Sequence, residues 1–563
     1  MNYNYYKDIP IEYNDFLKND YCFMSPALSA LQEVVLLQLK EIAFYLLELK
    51  QLGAHNEKIK ENILEALSGI VIDVEYDEEH YQNISRTLFE ILAQVKIVYG
   101  ELCKKDSVEP KVFKTYFKQT KKMPLVIAIK KGEKYIIKRS KLLSVEQKRR
   151  FEILFFLLKS ICAKIFELKN LGKDKTDAQS LKNELFREVQ WSHDYEDAYF
   201  EILSMLTAMT LPNLSAEEEK KLVEKYIMVY YNLVNKVYSA QVKIYGEGAP
   251  VEVSLSTRKG KAILVAGGDF KELEMVLKAS EGKNIDVYTH GVELLMAHTF
   301  PKFREYNHLV GHFGRGADAS LIDFANFPGP VFMTRHSLYK TQNIYRAIVF
   351  TTDAIPPKGA VKIVNNNFEP LIKSALSAKG FSKATERGKL KAGYEEKEIS
   401  RKIREVLDQV EGEKLKKICF FGLLNAPAEQ SNYFEKLFAL MPKDSFIFSL
   451  SYKYSGENIY HVDSFYDYSL IYKILTEIKE RKMLETIDVV VFITRCDKYT
   501  VSNILTLKQM GVKKIYMCKC SPMLVSPALL CAIKSFFGVE EFVDPIQMLE
   551  KVLGGRSERQ EST

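Results

Sequence analysis

The sequence predicts a multidomain α and α/β protein: an N-terminal helical domain of two repeated three-helix bundles, followed by two Rossmann-like parallel-sheet domains. Three observations carry that expectation. Apolar residues recur at three and four spacing through the first 250 positions, short motifs in that region occur twice, and after Gly246 the pattern changes to short β-branched runs alternating with helices. At 563 residues the chain exceeds what a single core organises, and 47% hydrophobic with 27% charged residues is an ordinary globular composition.

The helical periodicity covers 28–51, 59–70, 79–100, 146–171, 179–189 and 197–210. LELKQLG (47–53) returns as FELKNLG (166–172), and DEEHY (77–81) returns as YEDAY (195–199). AQVKI (93–97) with YGE (99–101) is echoed by AQVKIYGE (240–247), so each unit is expected to close with a helix running into a glycine stop, at Gly100 and Gly246. Leu-Gly after a long amphipathic helix is a stop signal, which makes these shared residues architecture rather than chemistry.

Between the bundles, LVIAIKKGEKYIIKR (125–139) places two β-rich runs around Lys130-Lys131-Gly132-Glu133 and reads as a hairpin. It lies in the most basic part of the chain. From Lys104 to Lys141 thirteen Lys or Arg face only Asp106, Glu109 and Glu133, while the whole chain carries +7. Clustered positive charge suits an acidic protein partner. No base-reading motif accompanies it, so nucleic acid is not expected, and a solvated insertion is the plainer reading.

Strands are expected at 262–266, 285–288, 331–333, 347–351, 417–422, 445–450, 488–494 and 514–518, with a lysine-rich, apolar-poor stretch at 379–402 separating two groups of four. The expected domains are therefore a first bundle at 1–105, a basic hairpin insertion at 106–144, a second bundle at 145–250, a first Rossmann-like domain at 251–385 and a second at 386–563 with a disordered polar tail. The start MNYNYYKDIP has no signal-peptide pattern and no run of about 18 apolar residues occurs, so a cytoplasmic protein without a membrane partner is expected. Cysteines 22, 103, 162, 419, 496, 518, 520 and 531 show no CxxC spacing, which argues for reduced thiols.

Ligands of open parallel sheets sit beyond the carboxyl ends of strands. Those positions hold Gly267-Gly268-Asp269, His290 to Glu293, Arg335-His336-Ser337, Asp353, Leu424-Asn425, Ser451, Cys496-Asp497 and Cys518-Lys519-Cys520. The segments around them, AILVAGGDFKELEMVLKASEGKNIDVYTHGVELLMAHTFPKF (262–303), HLVGHFGRG (308–316), FPGPVFMTRHS (327–337) and IVFTTDAIPPKGAVKI (348–363), resemble the hybrid cluster (prismane) proteins. That family reduces hydroxylamine or nitric oxide and belongs with the carbon monoxide dehydrogenases, so the resemblance implies a prismane-like fold.

The resemblance also implies where a hybrid cluster would be held: by one histidine, two glutamates and four cysteines. The family histidine matches Gly268, and the four cysteines match Ser337, Ala360, Leu424 and Ser451, none of which can ligate iron as a thiolate. The two glutamates match Glu293, displaced by one inserted residue, and Asp497. The four-cysteine cluster near the family's N-terminus has no counterpart beside Cys22. Iron–sulfur clusters need thiolates, so no iron–sulfur cluster is expected.

Two readings follow. In one, the chain is a cluster-free binding or scaffold protein. In the other, Glu293, His336 and Asp497, with His290 or Cys496, form a mononuclear or dinuclear metal site, carboxylate and imidazole being a good ligand set for iron, zinc or manganese, and the protein remains a hydroxylamine or nitric oxide reductase. A thiolate site of Cys496, Cys518 and Cys520 is a further candidate, although a cysteine on a buried strand is commonly a small hydrophobe. Neither a P-loop, a dinucleotide-type GxGxxG nor a GxSxG elbow occurs. The first reading is preferred because the matched thiolates are gone. Association with further copies of the chain stays open.

Overall fold

The computed structural model describes residues 26–54, 57–71, 78–114, 123–172, 191–211, 214–314, 320–337, 344–354, 356–357, 359–393, 396–421, 428–449, 458–461, 468–493, 498–517, 533–534 and 537–553. The chain divides into two units. One comprises Met1–Ala240, Met333–Asn367 and Pro522–Leu529; the other comprises Gln241–Phe332, Phe368–Ser521 and Leu530–Thr563.

The first unit is helical: Pro26–Gln51, Glu57–Ser68, Glu78–Lys105, Leu125–Leu142, Val145–Leu171, Trp191–Ala208 and most of Ala216–Tyr245. Pro26–Gln51 is its axis. Residues 30–43 are buried without a break, so this helix has no solvent face over about four turns. Glu78–Lys105, Leu125–Leu142 and Trp191–Ala208 all pack against it, and Glu57–Ser68 packs against Val145–Leu171, so helices of the two repeats share one core. Ser144 starts the helix at Val145 with a reciprocal capping box to Gln147.

Two expectations for this region are overturned. The basic hairpin does not form; Leu125–Leu142 is one α-helix. Its more buried positions, Leu125, Ala128, Ile129, Gly132, Tyr135 and Ile136, fall at three and four spacing, and packing on Pro26–Gln51 overrides the β-propensity of its valines and isoleucines. Gly132 serves close helix approach rather than a turn, since a Cβ there would lie 2.2 Å from the Ala30 carbonyl oxygen. Gly100 is not a stop either. The helix runs on to Lys105 because Cys103 continues its buried stripe, whereas Gly246, at φ +87°, does end its helix. The expected helix at 179–189 and the polar tail at 554–563 lie outside the described residues.

Every strand expected from the sequence is present, within about two residues at either end. In chain order the strands are β1 (Val251–Ser254), β2 (Lys261–Ala266), β3 (Ile285–His290), β4 (Leu309–His312), β5 (Val331–Met333), β6 (Val349–Thr351) and β7 (Val361–Lys362). They continue with β8 (Lys389–Ala392), β9 (Lys417–Phe421), β10 (Ser445–Ser449), β11 (Ile459–His461), β12 (Asp488–Ile493), β13 (Lys514–Met517) and β14 (Val539–Glu541). In the second unit β4-β3-β2-β5 lie side by side, and a separate six-stranded sheet has the order β11-β10-β9-β12-β13-β14. Its pairs are all parallel, and its order reverses between β9 and β12, the doubly wound arrangement. Register places Lys417 beside Asp488, whose carboxylate accepts Lys417 Nζ at 3.0 Å and Lys514 Nζ at 2.9 Å. β1 and β8 form an antiparallel pair that the sequence did not announce, and β6 and β7 pair in parallel.

The two helical glycines give opposite expectations. Gly132→Ala should lower stability in urea denaturation by about 1 to 3 kcal/mol, because Ala30 backbone cannot retreat without moving a buried helix. Gly100→Ala, where a Cβ meets nothing within 4 Å, should raise it by about 0.5 to 1 kcal/mol.

Candidate functional site

The turn after β5 carries Arg335-His336-Ser337. His336 sits at φ +59°, a left-handed conformation that a non-glycine residue keeps only when its surroundings impose it. The Asp353 carboxylate imposes it here, accepting the His336 backbone N–H at 3.0 Å and 3.3 Å to its two oxygens. The buried imidazole meets Ser68 Oγ through Nε2 at 2.7 Å and stands edge-on to Phe166. Arg335 reaches the same helix end: its guanidinium donates to Glu65 and to Ser68 Oγ, each at 3.3 Å, and to the Thr352 carbonyl at 3.0 Å, while lying over the Phe166 ring. Lys362 donates to the Ala354 carbonyl at 2.7 Å; burial, and next Arg335, depress its pKa against the opposing pull of Glu65 and Asp353.

Ser337, at a position matched to a family cysteine, turns its hydroxyl back into its own turn and donates to the Thr334 carbonyl. Ala360 follows Gly359 at the entry to β7 and carries no ligating atom. In the second unit Gly267 donates its N–H to the His290 carbonyl, and Asp269 caps the helix Phe270–Ser280 through Glu272 N–H, which makes Asp269 a structural residue. Glu293 occupies the space at Gly268: a Cβ at 268 would lie 3.1 Å from Glu293 Cβ and Cγ. At these described positions the side chains present do not fit a hybrid cluster, for want of a thiolate at 337 and 360 and of an imidazole at 268.

His290, expected near the site, lies in the second unit with His298 and His312, and all three are buried. Thr289 Oγ1 lies 2.9 Å from both His298 Nε2 and His312 Nδ1, and His290 Nε2 meets Asp323 Oδ2 at 3.1 Å. Gly314, at φ +98°, lets the chain pass over this pair; a Cβ there would strike Asp323 Oδ2 at 2.3 Å. Burial pushes the His298 imidazole down to about 4, and burial with the neighbouring histidines holds His312 well below the ordinary value. His290, His298 and His312 are thus each tied by a hydrogen bond to a neighbouring side chain.

His336 belongs to the first unit and Glu293 to the second. Cys496, Asp497, Leu424, Ser451, Cys518 and Cys520 lie outside the described residues. Of the described cysteines, Cys103, Cys162 and Cys419 are buried, and burial pushes the Cys419 thiol up to about 12 and Cys162 higher still, so neither of these two is a thiolate at neutral pH. Among the described residues no three His, Cys, Asp or Glu side chains are grouped to hold a metal ion. Sequence reasoning missed Ser68, Glu65 and Asp323. Their partners lie 33 to 270 positions away, and no local pattern marks them.

Two outcomes are expected for the histidine group. Thr289→Val, which removes the hydroxyl from two buried rings, should cost about 2 to 4 kcal/mol in urea denaturation, while Thr289→Ser should cost under half of that. Because His298 is neutral when folded and protonates near pH 6.5 when unfolded, stability should hold above that pH and fall as pH drops from about 6.5 to about 4, by up to about 3 kcal/mol from His298; His298→Asn should flatten that part of the pH profile.

A profile of the Prismane/CO dehydrogenase family matches residues 18–451. The hydroxylamine reductase of Syntrophobacter fumaroxidans is 24% identical over 551 residues, covering 95% of this chain and 96% of its own. That of Thermodesulfovibrio yellowstonii is 24% identical over 563 residues, covering 96% and 97%, and that of Rhodospirillum rubrum is 26% identical over 430 residues, covering 76% and 74%. A solved structure of the alpha subunit of acetyl-CoA synthase/carbon monoxide dehydrogenase aligns over 93% of this chain and 81% of that one, with 13% identity and a TM-score of 0.44. With the profile spanning both helical repeats and the strands from β1 to β10, the chain belongs to the Prismane/CO dehydrogenase family.

Proposed function

We propose that this chain is a member of its family that has given up the hybrid cluster and acts as a cluster-free binding or scaffold protein. The observation that carries this reading is Ser337, whose hydroxyl is spent on the Thr334 carbonyl at a position matched to a cysteine ligand. Gly268 overlain by Glu293, and Ala360, support it from two further matched positions. A seven-ligand cluster does not assemble on an alanine, a glycine and a serine already committed to its own turn. The relatives' names, hydroxylamine reductase, describe an activity that this reading does not carry over.

Purification without oxygen, followed by assay of iron and acid-labile sulfide and an absorption spectrum, tests the proposal. The expected result is substoichiometric iron, no sulfide, and no visible absorption. Iron with sulfide would overturn it. A stoichiometric metal without sulfide, lost in Glu293→Gln, His336→Ala, Asp497→Asn or Cys496→Ser, would favour the rebuilt metal site and a redox enzyme instead.

A further inference from the structure

The helix Leu125–Leu142 presents an outward stripe that the core does not use. Its inward face is committed to Pro26–Gln51 through Ala128 and Gly132. On the opposite face Val126, Lys130, Lys134, Ile137 and Lys141 follow one another at spacings of four, four, three and four, which aligns them along one side over about 22 Å. Each is exposed: Val126 at 60% and Ile137 at 44%, with Ile127 beside them at 42%. One carboxylate, Glu133, borders the stripe, three residues after Lys130 and four before Ile137. Glu133 is the single carboxylate of this helix and is partly buried, so the stripe's exposed charges are lysines.

We propose that this stripe docks an acidic protein, by way of a helix that carries carboxylates and a few aliphatic side chains on one face. Charge complementarity selects the class: the 104–141 segment concentrates thirteen Lys or Arg against three carboxylates, whereas the remaining chain is net acidic. The side chains narrow it further. β-Branched aliphatics between lysines suit an apolar interface core with a charged rim. Single-stranded nucleic acid would call for aromatic platforms, and lipid insertion for Trp, Phe or Leu on a free apolar face, but the main apolar face of this helix is already buried in the protein. The inference stands whether or not the chain holds a metal.

The test is fluorescence anisotropy of the full chain with a labelled synthetic helical peptide that bears Glu at every fourth position and Leu between them on one face. Binding is expected at low ionic strength, weakened about tenfold or more by the combined K130E, K134E and K141E changes. A severalfold loss is expected for V126S with I137S, with the circular dichroism of both variants unchanged. K130Q with K134Q and K141Q should fall between. Absence of binding, or equal binding by the charge-reversed chain, would overturn the proposal. So would tighter lysine-dependent binding to phosphatidylserine vesicles or to duplex RNA than to the peptide.

Discussion

A helix buried for fourteen consecutive residues must have its polar groups met from every side, and in the first unit that constraint governs what surrounds Pro26–Gln51. Lys96 comes across from Glu78–Lys105 to pair with Glu41, Gln38 donates to the Ser85 carbonyl of the same neighbour, and Lys40 lies over the ring of Phe151 from Val145–Leu171. Glu78–Lys105 and Val145–Leu171 are therefore fixed by directional contacts as well as by apolar packing. Two bundles that read as separate repeats in the sequence become one body because both are needed to enclose this helix.

Much of the architecture was legible because the physics behind it is local. Runs such as KICFF and DVVVFI are buried on both faces, as parallel strands must be, and such runs stand out without any knowledge of their partners. The strands that escaped notice, β1, β4, β7, β8, β11 and β14, are only two to four residues long and owe their conformation to a neighbour. Leu125–Leu142 failed for a related reason: its residues favour a strand in isolation, and a helix 100 positions earlier decides otherwise. At the candidate site, Gly268, Glu293, His336 and Ser337 could be singled out from motif and resemblance. Ser68 could not, since an ordinary serine at a helix end acquires meaning when His336, 268 residues later, arrives beside it.

The left-handed residue at 336 is held entirely by groups of the chain itself. The turn follows β5, and Asp353 and Ser68 hold it, one on the backbone N–H and the other on the ring. The strain of that conformation is met by a carboxylate on a backbone N–H and by a hydroxyl on a ring nitrogen, both within the chain.

The Thr289 hydroxyl has one proton to give and stands between two imidazole nitrogens. If it donates to His298, then His312 must present a protonated Nδ1 to it; if it donates to His312, the protonated nitrogen must be Nε2 of His298. While that hydroxyl gives its proton to one of the rings, rather than to the Gly311 carbonyl 3.5 Å away, the two rings cannot choose their tautomers independently. With the proton on a ring, a reversal at one end requires proton relocation at the other, so the pair has a polarity and two senses of the same charge, with no heavy atom displaced.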